Sequence, residues 1–152
     1  MSRLLVVHHT PSPAMHAMFL EAVAGANDPA IEGVEVVVRP ALSATVGDVL
    51  EADGYLLGTP VNLGYISGAL KYFFDQVYYP CLEATTGRPF GAYLHGDNDA
   101  TGAVRAIDVI TTGLAWRRAQ EYVTVAGPVD RSALADCREL GASLAAGLSL
   151  SP

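Results

Sequence analysis

The sequence predicts an α/β fold with a parallel sheet, because five strand-like runs alternate with five segments of helical pattern. The first run, residues 4–7, is apolar throughout, as expected of a central strand that is covered on both faces. Strands and helices that alternate at this spacing imply right-handed crossovers and helices on both sides of the sheet, which is a three-layer sandwich. Five strands suit the order 2-1-3-4-5, with the switch point between strands 1 and 3.

The chain has the size and composition of one domain. A length of 152 residues fits a single domain, and a hydrophobic content of 51% supplies ample material for its core. We see no internal repeat and no interdomain linker in the sequence. We therefore assign residues 1–148 to one domain and residues 149–152 to a loose C-terminal tail.

Three strands and three helices are predicted in the first half of the chain. The strands are residues 4–7, 34–38 and 54–58, and the helices are residues 14–26, 43–51 and 67–79. The inward residues of the second helix are Val46, Val49 and Leu50. The third helix has apolar residues at spacing i, i+3, i+4 and i+7, namely Leu70, Phe73, Phe74 and Val77. Pro80 is expected to mark its end.

Two further strands and two helices are predicted in the second half. The strands are residues 90–95 and 122–125, and the helices are residues 101–112 and 130–148. Gly113 closes the fourth helix. Asp130 suits the N-cap of the last helix, because the Gly-Pro before it breaks the strand. The last helix carries one apolar face, formed by Leu134, Cys137, Leu140, Gly141 and Leu144.

Charge and hydropathy exclude several classes of function. A net charge of −7 without any basic run argues against nucleic-acid binding, which needs clustered Lys and Arg. The apolar run 4–7 is too short for a signal peptide or a membrane span. Cys81 and Cys137 lie far apart and form no CxxC motif, which indicates reduced thiols. We therefore expect a cytoplasmic protein that binds neither nucleic acid nor membrane.

The loop after the first strand has the features of a phosphate site. The hydroxyl residues Thr10 and Ser12 precede a helix N-terminus, where free N–H groups and the helix dipole attract an anion. The alternative is that Ser12 only caps the helix. A metal site is not expected here, because His8 and His9 are adjacent on a strand and point to opposite faces.

The loop after the third strand is the most informative part of the chain. It opens the string Gly-Thr-Pro-Val-Asn-Leu-Gly-Tyr-Ile-Ser-Gly-Ala-Leu-Lys-Tyr-Phe-Phe-Asp, residues 58–75. Pro60 fixes the backbone, and Gly64 and Gly68 leave room for a flat ligand against the main chain. The loop follows the carboxyl end of a strand, where open α/β sheets bind ligands.

This string resembles the second flavin-contacting loop of the flavodoxin-like FMN proteins, which include NAD(P)H:quinone reductases and NADPH-dependent FMN reductases. The resemblance implies a flavodoxin-like fold that binds FMN non-covalently. The implied FMN contacts are Thr10, Ser12, Ala14, Met15 and His16 in the first loop, Thr59, Pro60, Val61, Asn62, Leu63, Gly64 and Tyr65 in the second, and His95, Gly96 and Asn98 in the third.

Two of these loops depart from the family pattern. The family's phosphate loop reads hydroxyl, any residue, hydroxyl, Gly, Asn, Thr, whereas this chain has Pro13, Ala14 and Met15 at the last three positions. Pro13 removes one N–H donor and Met15 removes a hydroxyl, so His16 is considered as a replacement donor. In the third loop, Asn98 is the candidate for the pyrimidine edge of the flavin, and the departing carboxylates of Asp97 and Asp99 are expected to point to solvent.

The activity implied by the resemblance is hydride transfer from NADH or NADPH to FMN, and then reduction of a quinone or similar small-molecule acceptor. The cofactor performs the redox chemistry, so no catalytic side chain is assigned. Two alternatives stay open, an electron carrier without its own NAD(P)H step and a domain that has lost FMN and acts by protein interaction.

The resemblance also implies a homo-oligomer, a dimer or larger. The expected interface is an apolar patch formed by Tyr78, Tyr79, Pro80 and Leu82. The alternative is that these residues pack internally.

Overall fold

A computed structural model describes residues 1–150 as one sheet between two helical layers. In these residues the order of elements is β1 (Ser2–His8), α1 (Pro13–Ala26), β2 (Val34–Pro40), α2 (Val46–Glu51), β3 (Gly54–Asn62), β4 (Tyr65–Ile66), α3 (Gly68–Cys81), β5 (Pro89–Gly96), α4 (Thr101–Gly113), β6 (Arg117–Arg118), β7 (Val123–Ala126) and α5 (Arg131–Ser149). None of the helices in this range is long and apolar enough to cross a membrane.

The parallel strand order predicted from the sequence is confirmed. β2, β1, β3 and β5 lie side by side, and β7 pairs in parallel with the other edge of β5. Two short strands were not predicted. β6 pairs with the start of β5, so that this edge of the sheet is formed by two pieces. β4 folds back antiparallel on the end of β3. β3 therefore continues to Asn62, four residues beyond the predicted end at Gly58.

One core layer lies between the sheet and the helices α1 and α5. Both helices bury small and sulfur-containing side chains against the sheet, among them Met15, Met18 and Cys137. The two helices touch through their backbones, because methyl groups at Gly25 and Gly141 would collide with the carbonyl oxygens of Arg138 and Ala22. These two glycines therefore set the distance between the helices.

The opposite layer contains α2, α3 and α4 and most of the aromatic side chains. The rings of Tyr55 and Trp116 stack with centroids 4.0 Å apart. The indole N–H of Trp116 donates to the Thr85 hydroxyl over 2.8 Å, so the buried nitrogen is satisfied. The half-buried guanidinium of Arg88 donates to the carbonyls of Val49, Leu50 and Ala52 at the end of α2. A cation at a helix C-terminus complements the helix dipole.

Two helix boundaries differ from the prediction by two residues or more. α3 runs through Pro80 to Cys81, because Val77 and Cys81 are both fully buried and packing on that face continues the last turn. α2 begins at Val46 rather than at residue 43, since Thr45 forms a capping box with Asp48. Leu50 was predicted to face inward but is exposed.

The C-terminal helix enters the segment that was predicted as a tail. α5 includes Ser149, whose hydroxyl donates to the carbonyl of Glu32 over 2.6 Å. Leu150 is its C-cap. Residues 151–152 of the predicted tail lie outside the described residues.

We expect the replacement Gly141→Ala to lower the free energy of unfolding by about 1–3 kcal/mol, because the new methyl group meets the backbone of α1. Gly147→Ala is the matched control on the same helix. Its methyl group points into open space, so the free energy of unfolding should rise by about 0.5–1 kcal/mol. Urea unfolding of both variants measures this, and equal shifts of the two would contradict the contact.

Candidate functional site

Three loops that follow neighbouring strands meet at the carboxyl edge of the sheet. The first loop, residues 9–12, follows β1, and the second is the hairpin turn between β3 and β4. The third, residues 97–100, follows β5. The register of the strands places His8 beside Gly58, and Gly58 beside Tyr93. Since β1, β3 and β5 are adjacent and parallel, their loops lie next to one another, as expected of a ligand site in an open α/β sheet.

The first loop presents unpaired backbone donors at the start of α1. Within residues 1–150 the N–H groups of Thr10, Ser12 and Ala14 make no hydrogen bond. The hydroxyl of Ser12 accepts from the N–H of Met15 over 3.2 Å and so caps the helix. The first turn of α1 carries no acidic residue. Three free donors beside the positive end of a helix dipole favour an anion.

The side chains of this loop are engaged locally. Nδ1 of His8 and the hydroxyl of Thr10 share a hydrogen bond of 2.7 Å. The His8 ring also packs on Phe19, with centroids 4.2 Å apart. Burial, and then the charge of His9, lowers the pKa of His8. The Met15 side chain is fully buried, so only its backbone lies near the loop.

One buried nitrogen in this loop lacks a partner. Nδ1 of His9 is inaccessible and makes no hydrogen bond within the described residues. The backbone N–H of His9 donates to the carbonyl of Gly58 over 2.9 Å, which anchors the start of the loop on β3. His9 was not predicted as a site residue. His16 is exposed on the first turn of α1.

The second loop is a tight hairpin rather than an open loop. Leu63 and Gly64 form a two-residue turn in which both φ angles are positive, 53° and 73°, as in a type I′ turn. The base of the hairpin is held by Thr59, whose buried hydroxyl donates to the carbonyl of Pro60 over 2.8 Å and accepts from the N–H of Ser67 over 3.0 Å. The Thr59 side chain is therefore fully buried and supports the hairpin.

Hydrogen bonds to the Asp99 carboxylate order the third loop, and bonds to Gly127, the residue after β7, hold the end of β5 before it. Asp99 accepts from the backbone N–H and the hydroxyl of Thr101 at 3.0 and 2.6 Å. The Thr101 hydroxyl, with its N–H, lowers the pKa of Asp99, which stays ionised at neutral pH. Nε2 of His95 donates to the carbonyl of Gly127 over 2.7 Å. The N–H of Gly127 donates in turn to the carbonyl of Gly96.

A cavity of about 480 Å³ lies between the second and third loops. Its lining residues are Val61, Leu63, Gly64, Asp97, Asn98, Asp99 and Gly102. The hairpin rests directly on α4, because a methyl group on Gly102 would collide with the carbonyl oxygen of Gly64. A larger groove of about 690 Å³ runs between β7 and α5 and contains none of the predicted site residues.

The structure brings together residues from all three predicted loops at one edge, and four of them line the cavity: Val61, Leu63, Gly64 and Asn98. Tyr65 is exposed on β4, and Pro60 and Gly96 are buried in the walls. Ser67 and Gly102 were not predicted as site residues, although they position the hairpin. In the sequence, only the glycine at position 102 indicates the contact between α4 and the hairpin. That indication can be interpreted only when the position of α4 is known.

The chain's own residues fit FMN in both halves of the site. The unpaired N–H groups of Thr10, Ser12 and Ala14 suit the phosphate. The cavity between the hairpin and residues 97–99 suits a ring held between backbone segments. Residues 1–150 bring together no group of three or more His, Cys, Asp or Glu side chains that could hold a metal ion.

Comparison with solved structures agrees with this geometry. A flavodoxin from the domain Archaea superposes with a TM-score of 0.80 at 15% identity, over 96% of this chain and 98% of that one. The flavodoxin, WrbA-like protein of Agrobacterium tumefaciens superposes with a TM-score of 0.77 at 17% identity, over 95% and 96% of the two chains. At such identities the similarity establishes the flavodoxin-like fold.

Sequence comparison establishes the family. A flavodoxin of Aquifex aeolicus is 38% identical over 77 residues, which are 51% of this chain and 40% of that protein. The sequence pattern of the NADPH-dependent FMN reductases matches residues 9–126, which include all three loops. The family predicted from residues 58–75 is therefore confirmed, and the chain belongs to the NADPH-dependent FMN reductase family.

Proposed function

We propose that the protein is an FMN-dependent oxidoreductase that passes electrons from NADH or NADPH to a quinone or similar acceptor. The observation that carries this proposal is the pair of complementary half-sites at one sheet edge. The unpaired donors at the start of α1 suit a phosphate, and the cavity between residues 61–64 and 97–99 suits a ring. Family membership supports FMN as the molecule that spans both.

The phosphate half of the site works through the backbone. Thr10, Ser12 and Ala14 offer N–H groups to the phosphate, and the hydroxyl of Thr10 is a further donor when Nδ1 of His8 donates to it. Pro11 lies within the loop, and Ser12, which precedes Pro13 at the start of α1, has an extended backbone. Met15 contributes packing instead of a hydroxyl, since its side chain lies in the core. The loop thus binds phosphate despite its departure from the family pattern.

The ring half of the site works through position. Bound FMN supplies the redox chemistry, by which one hydride from NADH or NADPH and one proton from solvent convert a quinone to a hydroquinone. Leu63 and Gly64 of the hairpin and Asn98 line the cavity and would hold the ring. Asp97 and Asp99 border the same cavity, and both residues are exposed to solvent.

An electron carrier is the second candidate. It is favoured by the names of the matched proteins, since the Aquifex aeolicus relative and the archaeal structure are both flavodoxins. The net charge of −7 also suits docking on a basic partner. A carrier would need a separate reductase before it accepted electrons from a nicotinamide nucleotide.

A homo-oligomer is part of the proposal. Of the four residues of the predicted apolar patch, Tyr78 is partly buried, and its ring packs against Gly113. Tyr79, Pro80 and Leu82 remain exposed beside it and form the proposed contact. A dimer requires a sedimenting mass of twice that of the chain at micromolar concentration.

Turnover distinguishes the enzyme from the carrier. We expect the FMN-loaded protein alone to oxidise NADH or NADPH when menadione is the acceptor. Absorbance of the nucleotide measures the rate, with the FMN-free protein and free FMN as controls. A protein that retains FMN but oxidises neither nucleotide until a reductase is added would support the carrier.

FMN should bind with roughly micromolar affinity and at least about a hundredfold more tightly than riboflavin. Charge-assisted hydrogen bonds contribute about 1.5–3 kcal/mol each, and riboflavin cannot form those made by the phosphate. Calorimetric titration with both ligands measures the difference. Equal affinities would remove the first loop from the binding site.

Gly64→Val should weaken FMN binding by about tenfold or more, because the side chain strains the turn at φ 73° and alters the backbone beside the ring. Gly33→Val is the matched control, since Gly33 has φ 77°, equal open space and a position at the opposite edge of the sheet. Both variants should lose about 1–3 kcal/mol of stability. An unchanged FMN dissociation constant in folded Gly64→Val would separate the hairpin from the ring.

A further inference from the structure

The strand β7 forms a free edge of the sheet. Within the described residues it pairs only with β5. The N–H of Gly127 donates to the carbonyl of Gly96 on β5, and backbone groups alternate in direction along a strand. The N–H and C=O groups of Thr124 and Ala126 therefore point away from β5, and both residues are exposed. No loop or side chain in residues 1–150 forms a hydrogen bond with these groups.

A cavity lies on each side of this edge, and the helices that cover the sheet form the walls. The groove of about 690 Å³ lies between β7 and α5. A second cavity, of about 450 Å³, lies between β7 and α4, and Thr124 lines both. We call the two cavities together the edge cleft. Since neighbouring strands lie about 4.8 Å apart, a further strand beside β7 would lie in the edge cleft, between α4 and α5.

The edge cleft is rich in carboxylates. Four carboxylates and no lysine or arginine line the larger cavity, namely Glu121, Asp130, Asp136 and Glu139. Asp136 and Glu139 are exposed on α5 and form no ion pair within the described residues. The smaller cavity adds two carboxylates against one arginine, Arg105. The charge of the edge cleft therefore favours a cationic segment.

The opposite edge of the sheet is protected against strand pairing. Glu35 on β2 forms an ion pair with Arg3 at 2.9 Å. Arg39 on β2 does so with Asp48 at 3.5 Å, and Pro40 ends the strand. Charged residues and proline commonly block an exposed strand edge. β7 has the sequence Val-Thr-Val-Ala and contains neither, so β7 is the edge that a further strand can join.

We propose that β7 binds an extended segment of another protein, rich in lysine and arginine, as an additional strand of the sheet. Its backbone pairs with the free groups of Thr124 and Ala126, and its basic side chains lie beside Asp136 and Glu139. A second copy of this chain is a poor occupant, because two β7 edges would bring two sets of the same carboxylates together. Neither cavity of the edge cleft contains a residue assigned to FMN, so this contact is independent of the proposed function.

The probe is a hexapeptide of alternating lysine and valine, blocked at both ends and titrated calorimetrically into the wild-type protein at low ionic strength. A Lys-Pro hexapeptide keeps the charge but cannot pair as a strand, and a Glu-Val hexapeptide has the opposite charge. Both should bind at least about tenfold more weakly than the Lys-Val peptide, whose own binding should weaken with added salt. No binding of the Lys-Val peptide, or equal binding of either control peptide, would overturn the proposal.

Two variants test the two kinds of contact. Thr124→Pro removes an outward N–H at a position where an edge strand accepts proline, and the affinity for the Lys-Val peptide should fall about tenfold, whereas Thr124→Val should change it less than about twofold. Asp136→Asn with Glu139→Gln should lower the affinity about fivefold. Glu32→Gln with Glu83→Gln removes the same charge outside the edge cleft and is the matched control. Equal affinities of a variant and its control would contradict that contact.

Hydrogen exchange of the wild-type protein provides a test that needs no folded variant. Saturating Lys-Val peptide should slow exchange of the Thr124 and Ala126 amides at least about tenfold, and the Val125 amide, which already faces β5, should change less. Unchanged exchange at Thr124 and Ala126 would overturn the strand pairing. A dimer of the wild-type protein that Thr124→Pro converts to a monomer in sedimentation would assign the edge to a second copy and overturn the basic partner.

Discussion

The in-register ladder of β1, β3 and β5 is the constraint from which the site follows. His8, Gly58 and Tyr93 lie side by side across these strands. β1 ends at this row, β5 continues three residues to Gly96, and β3 continues four residues to Asn62. At about 3.3 Å per residue, the second and third loops stand roughly 10–13 Å above the first. The anion site and the cavity therefore lie at different levels along the strand direction, and the anion site is nearer the middle of the sheet.

The two edges of the sheet use their polar groups differently. At the amino edge the backbones of Arg3 and Asp53 pair, and Arg88 satisfies three carbonyls at the end of α2. At the carboxyl edge, backbone donors stay unpaired in the first loop and Leu63 is strained in the second. Backbone polar groups are satisfied where no ligand is expected, and free backbone donors lie where one is.

Most elements were predictable because their periodicity is local. The apolar run 4–7 and the spacing of Leu70, Phe73 and Phe74 identify a buried strand and an amphipathic helix without knowledge of their neighbours. The predictions failed where a distant contact overrode a local signal. Pro80 does not end α3, since the core on the side of Cys81 holds the turn. The hairpin was predicted as a loop, since Leu63 stands where a two-residue turn usually has Asn, Asp or Gly.

The sequence by itself determined the fold class, the family and the three loops, because strand order and loop position follow from local pattern and a specific motif. Tertiary structure alone decided which groups in those loops are available. Met15 and Thr59 are buried by packing and hydrogen bonding, and Gly102 seats the hairpin on α4. Such contacts join residues far apart in the chain. Their geometry depends on how helices and strands pack, which no local pattern encodes.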